Sequence, residues 1–561
     1  WWYPVSGLGD GFEYATENVA IQRAETDTGL EFRVMATQKF SEAQLSIVQN
    51  GRVVATDIVD LSPVLVQRIR FDGNADVPVE VSVRTQLGDT LATYTSPLPI
   101  PNVEEPVSLG GTPEDKLSVE QKYRNGYDAD VSLDRIGARE WYGRALEDDI
   151  NHSPSLVALA ALDTEAGLYE VAAARLERAL KRDATNGMAA YLLGVTRLQL
   201  GDLEEALRLG YVATRQPETA ELGFGLIGRA QMRAGHREAA LLSFSRGFDR
   251  GGRDRIRLLE QMLIAAYDTE RWPQATGIAL SPIRTGTTRL VPRAILALLG
   301  EVSAADFAAE ARAYVGEKEF TFLELSLTFA DLGLYREAAD LLSVTMVEGV
   351  PTSEHRPLPF YYLAYYESRV GNRTIARKYL DRAAGLKRDY VFPSRPETID
   401  VLEYAVRETP DDARAREYLG NLLAGLGRLD EAAQSWREAA DRDLSLSVAR
   451  RNLGLYNWRV AGDLDAAVEW YTAAIVARPS DQTLHRDLAQ LHIARHFPTT
   501  AIDLLERMPS TPRRRADATV LLARTYLNVS RYDDAIELLD RTTFSNREGD
   551  SDTWTILSDN H

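Results

Sequence analysis

The sequence predicts a mainly α protein: an α-solenoid of stacked helix pairs behind a small immunoglobulin-like β-sandwich. Three observations carry this reading. A short turn followed by alanine returns at a fixed interval through most of the chain. The first hundred residues instead alternate apolar and polar side chains with period two. A stretch rich in proline and glycine separates the two regimes.

The interval comes from counting. The turns read GLYEVA (Gly167 to Ala172), GDLEEA (Gly201 to Ala206), GHREAA (Gly235 to Ala240), GLYREA (Gly333 to Ala338), GNRTIA (Gly371 to Ala376), GRLDEA (Gly427 to Ala432), GDLDAA (Gly462 to Ala467), HFPTTA (His496 to Ala501) and SRYDDA (Ser530 to Ala535). Gly167, Gly201 and Gly235 stand 34 residues apart; Gly427 and Gly462 stand 35 apart; His496 and Ser530 follow at 34 each. A period near 34 marks tetratricopeptide repeats, each a helix–turn–helix. A small residue precedes the turns by seven: Ala160, Gly194, Gly228, Ser326, Ala364, Gly420, Ala489 and Ala523. A bulky residue follows the alanine by four: Leu176, Phe244, Leu342, Leu380, Trp436, Tyr471, Leu505 and Leu539. Helical spacing puts each set on one face, so small residues let two helices close and large ones fill the groove left over. Glycine at the turn permits a left-handed cap. Pro217 and Pro479 are expected to stop second helices. ERWPQA (Glu270 to Ala275) keeps the register as a further unit. The stretch from about 281 to 325 is degenerate, with SPIRTGTTRLVP expected as a loop.

Ahead of the repeats, LEFRVMA, LSIV, VLVQRIRF and VEVSVRT alternate as strands, and NGRVVATDIVDL reads as a hairpin. About seven short strands suggest the sandwich. The expected organisation is a leading strap over 1–14, a β-sandwich over 15–102, a linker over 103–117 and a solenoid over 118–561. An insert near 388–404 interrupts the solenoid.

That insert, DYVFPSRPETIDVLEYA (Asp389 to Ala405), lengthens one period to 56 residues from Gly371 to Gly427. Pro393 and Pro396 break a helix and TIDVLEYAV restarts one. Phe392, Pro393, Arg395, Glu397, Ile399, Val401 and Leu402, followed by the repeats, resemble the C-terminal half of a family of large bacterial proteins of uncharacterised function. In that family a β-supersandwich similar to mutarotase-like sugar-binding domains precedes a small β-domain and tetratricopeptide repeats. The resemblance implies a link to carbohydrates and a sugar-handling half upstream of Trp1. It leaves the insert as either a plain surface insertion or a docking element for that half.

Composition narrows the function. The 561 residues carry 45% hydrophobic and 26% charged side chains, as in ordinary folded proteins. No apolar run is long enough for a membrane span. Cysteine is absent, which excludes disulfides, thiolate catalysis and cysteine metal sites. A net charge of −19 argues against nucleic acid as a partner. Opening on Trp1 without a basic-then-apolar leader, the chain reads as a fragment or processed product. The compartment is left open, with the cytoplasm favoured.

Candidate sites were weighed against plainer roles. His492 and His496 are spaced for one helix face, but His496 holds a turn position, so no metal is expected. Glu147, Asp148 and Asp149 form a run at a helix end, and no catalytic residue is assigned. Gly7, Gly9 and Gly11 lack the strand and helix of a dinucleotide fingerprint, and no cofactor is expected. In FYYLAYYE (Phe360 to Glu367), one or two of Tyr361, Tyr362, Tyr365 and Tyr366 are expected to be exposed. The basic runs RGGRDRIR and PRRRAD read as solvated helix starts. The favoured surface is the concave lining of first helices, where Arg414, Asn421, Asn452, Tyr456, Arg486, Gln490 and Arg524 should point. Asn421, Asn452 and Arg486 resemble part of the carboxylate clamp of chaperone-binding tetratricopeptide domains, although Glu417 stands where a basic residue would help.

The expected function is therefore protein interaction and scaffolding: a groove that holds a peptide or companion domain, such as the protein's own carbohydrate-related half. The alternatives are an accessory half of a glycoside-acting enzyme and a self-assembly module that makes homo-oligomers.

Overall fold

A computed structural model describes residues 8, 11–26, 29–72, 77–98, 116–252, 254–267, 290–316, 319–350, 355–386, 391–509 and 516–541. The expected unit at Glu270–Ala275, nearly all of the linker and the PRRRAD run as far as Arg515 lie outside these residues.

The alternating segments form eight strands: β1 (Tyr14–Ala15), β2 (Val19–Thr26), β3 (Gly29–Ala36), β4 (Phe40–Gln49), β5 (Arg52–Leu61), β6 (Gln67–Phe71), β7 (Val79–Arg84) and β8 (Thr90–Ser96). They pair antiparallel into two sheets, ordered β1-β2-β3-β6 and β5-β4-β7-β8. Every second residue enters a shared core, among them Ile21, Phe32, Val34, Leu45, Ile47, Val81 and Val83. The β4–β5 hairpin turns on Asn50 and Gly51, both at positive φ (51° and 73°), as a two-residue hairpin turn requires. The stretch VLVQRIRF forms a strand only from Gln67 onward. Before it, Ser62 and Leu65 bridge a tight turn around Pro63.

The chain forms two compact units, one of residues 1–164 with 168–355, the other of 165–167 with 356–561. In the first, Val119–Val131 pairs with Arg135–Asp148, Gly187–Gln199 with Leu203–Ala213, Pro217–Arg233 with Arg237–Phe248, and Glu319–Ala330 with Tyr335–Leu342. Ser153–Glu165 and Tyr169–Arg182 share a core through Leu156, Ala160, Ala172 and Leu176. Arg255–Ala266 follows the pair Pro217–Arg233 and Arg237–Phe248, and Leu290–Leu298 and Ala304–Val315 lie in the degenerate region. Leu290, Val291 and Pro292, expected in a loop, open a helix because all three are buried. In the second unit, Pro357–Arg369 pairs with Arg373–Ala384, Ala413–Gly425 with Leu429–Arg442, Ser447–Tyr456 with Leu464–Ala477, Gln482–Ala494 with Pro498–Glu506, and Ala516–Asn528 with Tyr532–Asp540. Pro217 does not stop a second helix. It is the first residue of Pro217–Arg233, where its missing N–H costs nothing.

One contact recurs inside these pairs. The small residue of the first helix faces the bulky residue sixteen positions on, and their sizes are matched. Where the small residue is glycine, the partner is aromatic: Gly126 with Tyr142, Gly228 with Phe244, Gly420 with Trp436. A β-carbon added at these glycines would lie 2.6, 2.3 and 2.5 Å from the rings. Where it is alanine or serine, the residue sixteen on is leucine, at Ala160 and Leu176, Ser326 and Leu342, Ala364 and Leu380, Ala489 and Leu505, and Ala523 and Leu539, all buried. Gly194 departs from the rule. Gly210 stands sixteen on, and Leu226 of the next unit with Leu209 takes the space.

The pair Val119–Val131 and Arg135–Asp148 belongs to the same series, although its turn carries no glycine. Leu133 sits there at φ 63°, 34 residues before Gly167, with Gly126, Ala138 and Tyr142 in register. The 35-residue step from Gly427 to Gly462 also has a local cause. Residues Asn457–Ala461 form a π-helical turn at the end of the first helix. It absorbs the extra residue, so Gly454 still meets Tyr471, now seventeen positions on.

In the first unit, Asp331, just past Glu319–Ala330, receives two bonds from Arg229 (2.7 and 2.8 Å) and one from Arg233 (2.9 Å). Arg233 also donates to the carbonyls of Asp331 and Leu198. Burial works against the Asp331 carboxylate, but the two guanidinium groups outweigh it and hold its pKa at about 2, against an ordinary 3.8.

Two predictions follow from this packing. Gly228→Ala should destabilise the protein by about 1–3 kcal/mol through overpacking, and adding Phe244→Leu should recover most of the loss by recreating the alanine–leucine pair. Urea denaturation of the single and double variants checks this; a double variant no more stable than Gly228→Ala would refute size matching. The folded pKa of Asp331 is depressed, so its stabilisation is present above pH 3.8 and fades as pH falls toward 2. The gap in thermal midpoint between wild type and Asp331→Asn should therefore be full at pH 6 and shrink steadily below pH 4.

Candidate functional site

The small residue of each first helix points at its own partner helix. A residue one position after the small one, or two before it, then falls on another face. In Pro357–Arg369 that face carries Tyr362 and Tyr365. It is covered by the restarted helix of the insert, Thr398–Glu408. Tyr362 Oη lies 2.6 Å from Thr398 Oγ1, and Tyr365 meets Tyr404 edge-on at 6.0 Å. Tyr361 donates to Asp412 Oδ2 at 2.7 Å and packs against Tyr418. Burial, reinforced by Asp412, pushes its phenol well above the ordinary range. The expectation of exposed tyrosines is thus corrected. Tyr361, Tyr362 and Tyr366 are buried and Tyr365 is half-buried, because helices close over more than one side of this helix. Within the insert, Pro393, Ile399, Val401 and Leu402 turn inward while Phe392 is 79% exposed.

The next two first helices, Ala413–Gly425 and Ser447–Tyr456, bring Asn421 and Asn452 together. Asn421 Oδ1 accepts from the Trp436 indole N–H at 2.9 Å and from Asn452 Nδ2 at 2.9 Å. The indole can only donate, so it fixes which end of the Asn421 amide faces it. Asn421 therefore turns its NH2 group away from the indole, and Asn452 keeps its carbonyl oxygen out of the shared bond. Outside these two bonds Asn421 retains an NH2 donor and Asn452 a carbonyl acceptor. Glu417, buried beside them, accepts from the Ala449 backbone N–H at 3.1 Å and holds the start of Ser447–Tyr456.

The remaining predicted residues are distributed as follows. Arg414 donates to the carbonyls of Ala384 and Leu386, both at 2.6 Å, and closes the end of Arg373–Ala384. Tyr456 donates to Asp430 at 2.6 Å. Arg486 bonds Asp487 and Asp517; burial alone would lower its pKa, but these carboxylates raise it. Gln490 and Arg524 are exposed on the following first helices. Arg451, reaching Asp487 at 3.4 Å, was not foreseen. Its signal was its place directly before Asn452, on the same turn of the helix.

Other chemistry was tested against the geometry. Glu120, His152 and Ser155 stand in carboxylate–imidazole–hydroxyl order, at 3.1 and 2.9 Å. Ser155 is fully buried, so no substrate carbonyl can reach it, and the arrangement secures the start of Ser153–Glu165. His496 lies in its turn at φ 64°, past the end of the helix that carries His492. Burial and Arg495 hold the His492 imidazole below its ordinary value. Among the described residues no three histidine or acidic side chains gather as for a metal ion, and no helix is long and apolar enough to cross a membrane.

Comparison with known proteins agrees with the repeat count. Residues 158–220, 399–445 and 432–482 match a model described as tetratricopeptide repeat. Residues 14–94 match one described as "YphG-like protein, second domain". No curated protein sequence matches the chain. Similar solved structures include the APC/C hetero-tetramer Cut9–Hcn1, 14% identical over 78% of this chain and 87% of that one, with a TM-score of 0.27. PilF of Pseudomonas aeruginosa is 15% identical over 43% and 97% (TM-score 0.26). Yeast Tom70 is 13% identical over 76% and 99% (TM-score 0.25). Behind its small β-sandwich, this chain carries tetratricopeptide repeats.

Proposed function

We propose that this chain is a protein-interaction and scaffolding module that holds an extended peptide against the first helices from Ala413 to Asn528. The observation that carries this reading is the Asn421–Asn452 pair. Its orientation is set by the Trp436 indole, and it offers one donor and one acceptor to a peptide backbone. Stacked repeats build such extended surfaces, and backbone recognition gives affinity without demanding one sequence. Arg451, Arg486 and Arg524 bias the surface toward acidic peptides, tempered by Asp487 and Asp517. A carboxylate clamp is disfavoured, because Glu417 and Asp487 are acidic and would repel a chain terminus.

A second reading concerns the occupant. The match of the sandwich to a domain described as second supports a companion domain ahead of it, which would make this chain part of a larger protein. The carbohydrate link rests on the resemblance of the insert alone.

Changing Asn421, Asn452 and Arg486 together to alanine should weaken partner capture about tenfold or more, the loss expected from two or three hydrogen bonds. Helicity by circular dichroism should be unchanged. Equal capture by the variant would show the groove to be idle.

A further inference from the structure

The outer face of the sheet β1-β2-β3-β6 carries four charged side chains in a square. Glu31 and Arg33 stand on β3. They pair in register with Arg70 and Arg68 of β6. Glu31 is buried, and its two carboxylate oxygens accept from all three arginines: Arg33 Nε at 2.7 Å, Arg68 Nη1 at 2.9 Å and Arg70 Nε at 2.5 Å. Arg33 also donates to the Leu8 carbonyl at 3.1 Å, which ties the segment before β1 to this face.

A buried carboxylate needs a partner, and one well-placed guanidinium meets that need. Here three surround it. Among the described residues Glu31 is the carboxylate within ion-pair distance of Arg33, Arg68 and Arg70, so two positive charges stand in excess. They stand on a chain whose net charge is −19. The excess is also fixed in place. Glu31 holds Arg70 through Nε and Arg68 through one Nη, which leaves further N–H groups of both side chains uncommitted among the described residues. The Arg68 and Arg70 side chains are 46% and 69% exposed. Guanidinium forks aligned in advance are suited to binding a planar or tetrahedral oxyanion by paired bonds. Glu31 resists protonation, since hydrogen bonding from Arg33 outweighs burial and holds its pKa at about 2. The alignment therefore persists at neutral pH.

We propose that this face is an oxyanion site that takes a dianionic phosphate monoester between Arg68 and Arg70. The two unmatched positive charges equal the charge of that group, and its three terminal oxygens suit several forks at once. Glu31 is then a positioning residue, which keeps the forks apart and aimed outward.

Calorimetric titration of the full chain with phenyl phosphate in low salt tests the site. Saturable binding is expected, with benzoate, a monoanion of like size, at least about tenfold weaker. Arg70→Gln, a change at an exposed side chain that leaves Glu31 with two partners, should weaken phenyl phosphate about tenfold without moving the melting temperature. Arg68→Gln with Arg70→Gln should abolish binding. Arg68→Lys with Arg70→Lys keeps the charge but loses the forks, and should fall between wild type and the glutamine variants. A phosphoserine peptide run alongside names the source: tighter binding of the peptide points to a phosphorylated protein, and equal binding to a small molecule. No saturable binding by the wild type, or equal binding by wild type and Arg70→Gln, would overturn the proposal and leave a structural ion cluster only. None of these arms touches the Asn421–Asn452 groove, so the two readings can fail separately.

Discussion

A small side chain pressed against a large one holds each helix pair together. The first helix of a unit meets its partner there. Both are short, and neither buries enough surface to persist alone. Contact at one point fixes how closely they approach. The pairing of glycine with an aromatic ring, and of alanine or serine with leucine, keeps the combined volume of that point nearly constant across units. Constant volume gives constant spacing between helices. Constant spacing lets one unit stack on the next without accumulating error, as a repeat architecture needs. The exception at Gly194 and Gly210 obeys the same constraint, with neighbouring leucines supplying the missing bulk.

The period and the sandwich could be read from the chain because they rest on local rules. Turn glycine, the alanine five on, and alternation in the strands each leave a mark in a few consecutive residues. The helix pair at Leu133 left no such mark, because its turn carries leucine where the others carry glycine, histidine or serine. Leucine at positive φ is costly and therefore unexpected, and the residues around it carried the remaining signal. Tyr361, Tyr362 and Tyr366 were misjudged for a different reason. Helical geometry says which side chains share a face, but what lies against this helix comes from residues 398–408 and from Asp412 and Tyr418, and no periodicity reports that. The site was legible only as a set of positions. Register placed Asn421 and Asn452 on the lining of first helices, whereas their contact and the part played by Trp436 required coordinates. Arg414 and Tyr456 show the opposite outcome, since side chains in suitable positions turned out to serve neighbouring backbone and turns. The charged square on β3 and β6 left no local trace, because its members lie far apart in sequence and meet through strand pairing.

The insert changes how the binding surface is divided. A uniform array would offer one continuous first-helix face through the second unit. Thr398–Glu408 takes the part above Pro357–Arg369, so the surface proposed for a peptide begins at Ala413. The covered part is the most aromatic and the open part is polar. The chain thus keeps its stickiest surface dry while exposing amides and charges, which suits a binding face that must avoid nonspecific aggregation.

The π-helical turn at Asn457–Ala461 carries a lesson about how such chains change length. An added residue inside a regular helix would rotate everything beyond it by about 100° and expose its oily stripe. Taken up as a single widened loop of backbone at the helix end, the same addition is silenced within one turn, and the units downstream keep their facing. Helix ends next to the turns are therefore where this lineage could gain or lose single codons without dismantling the stack.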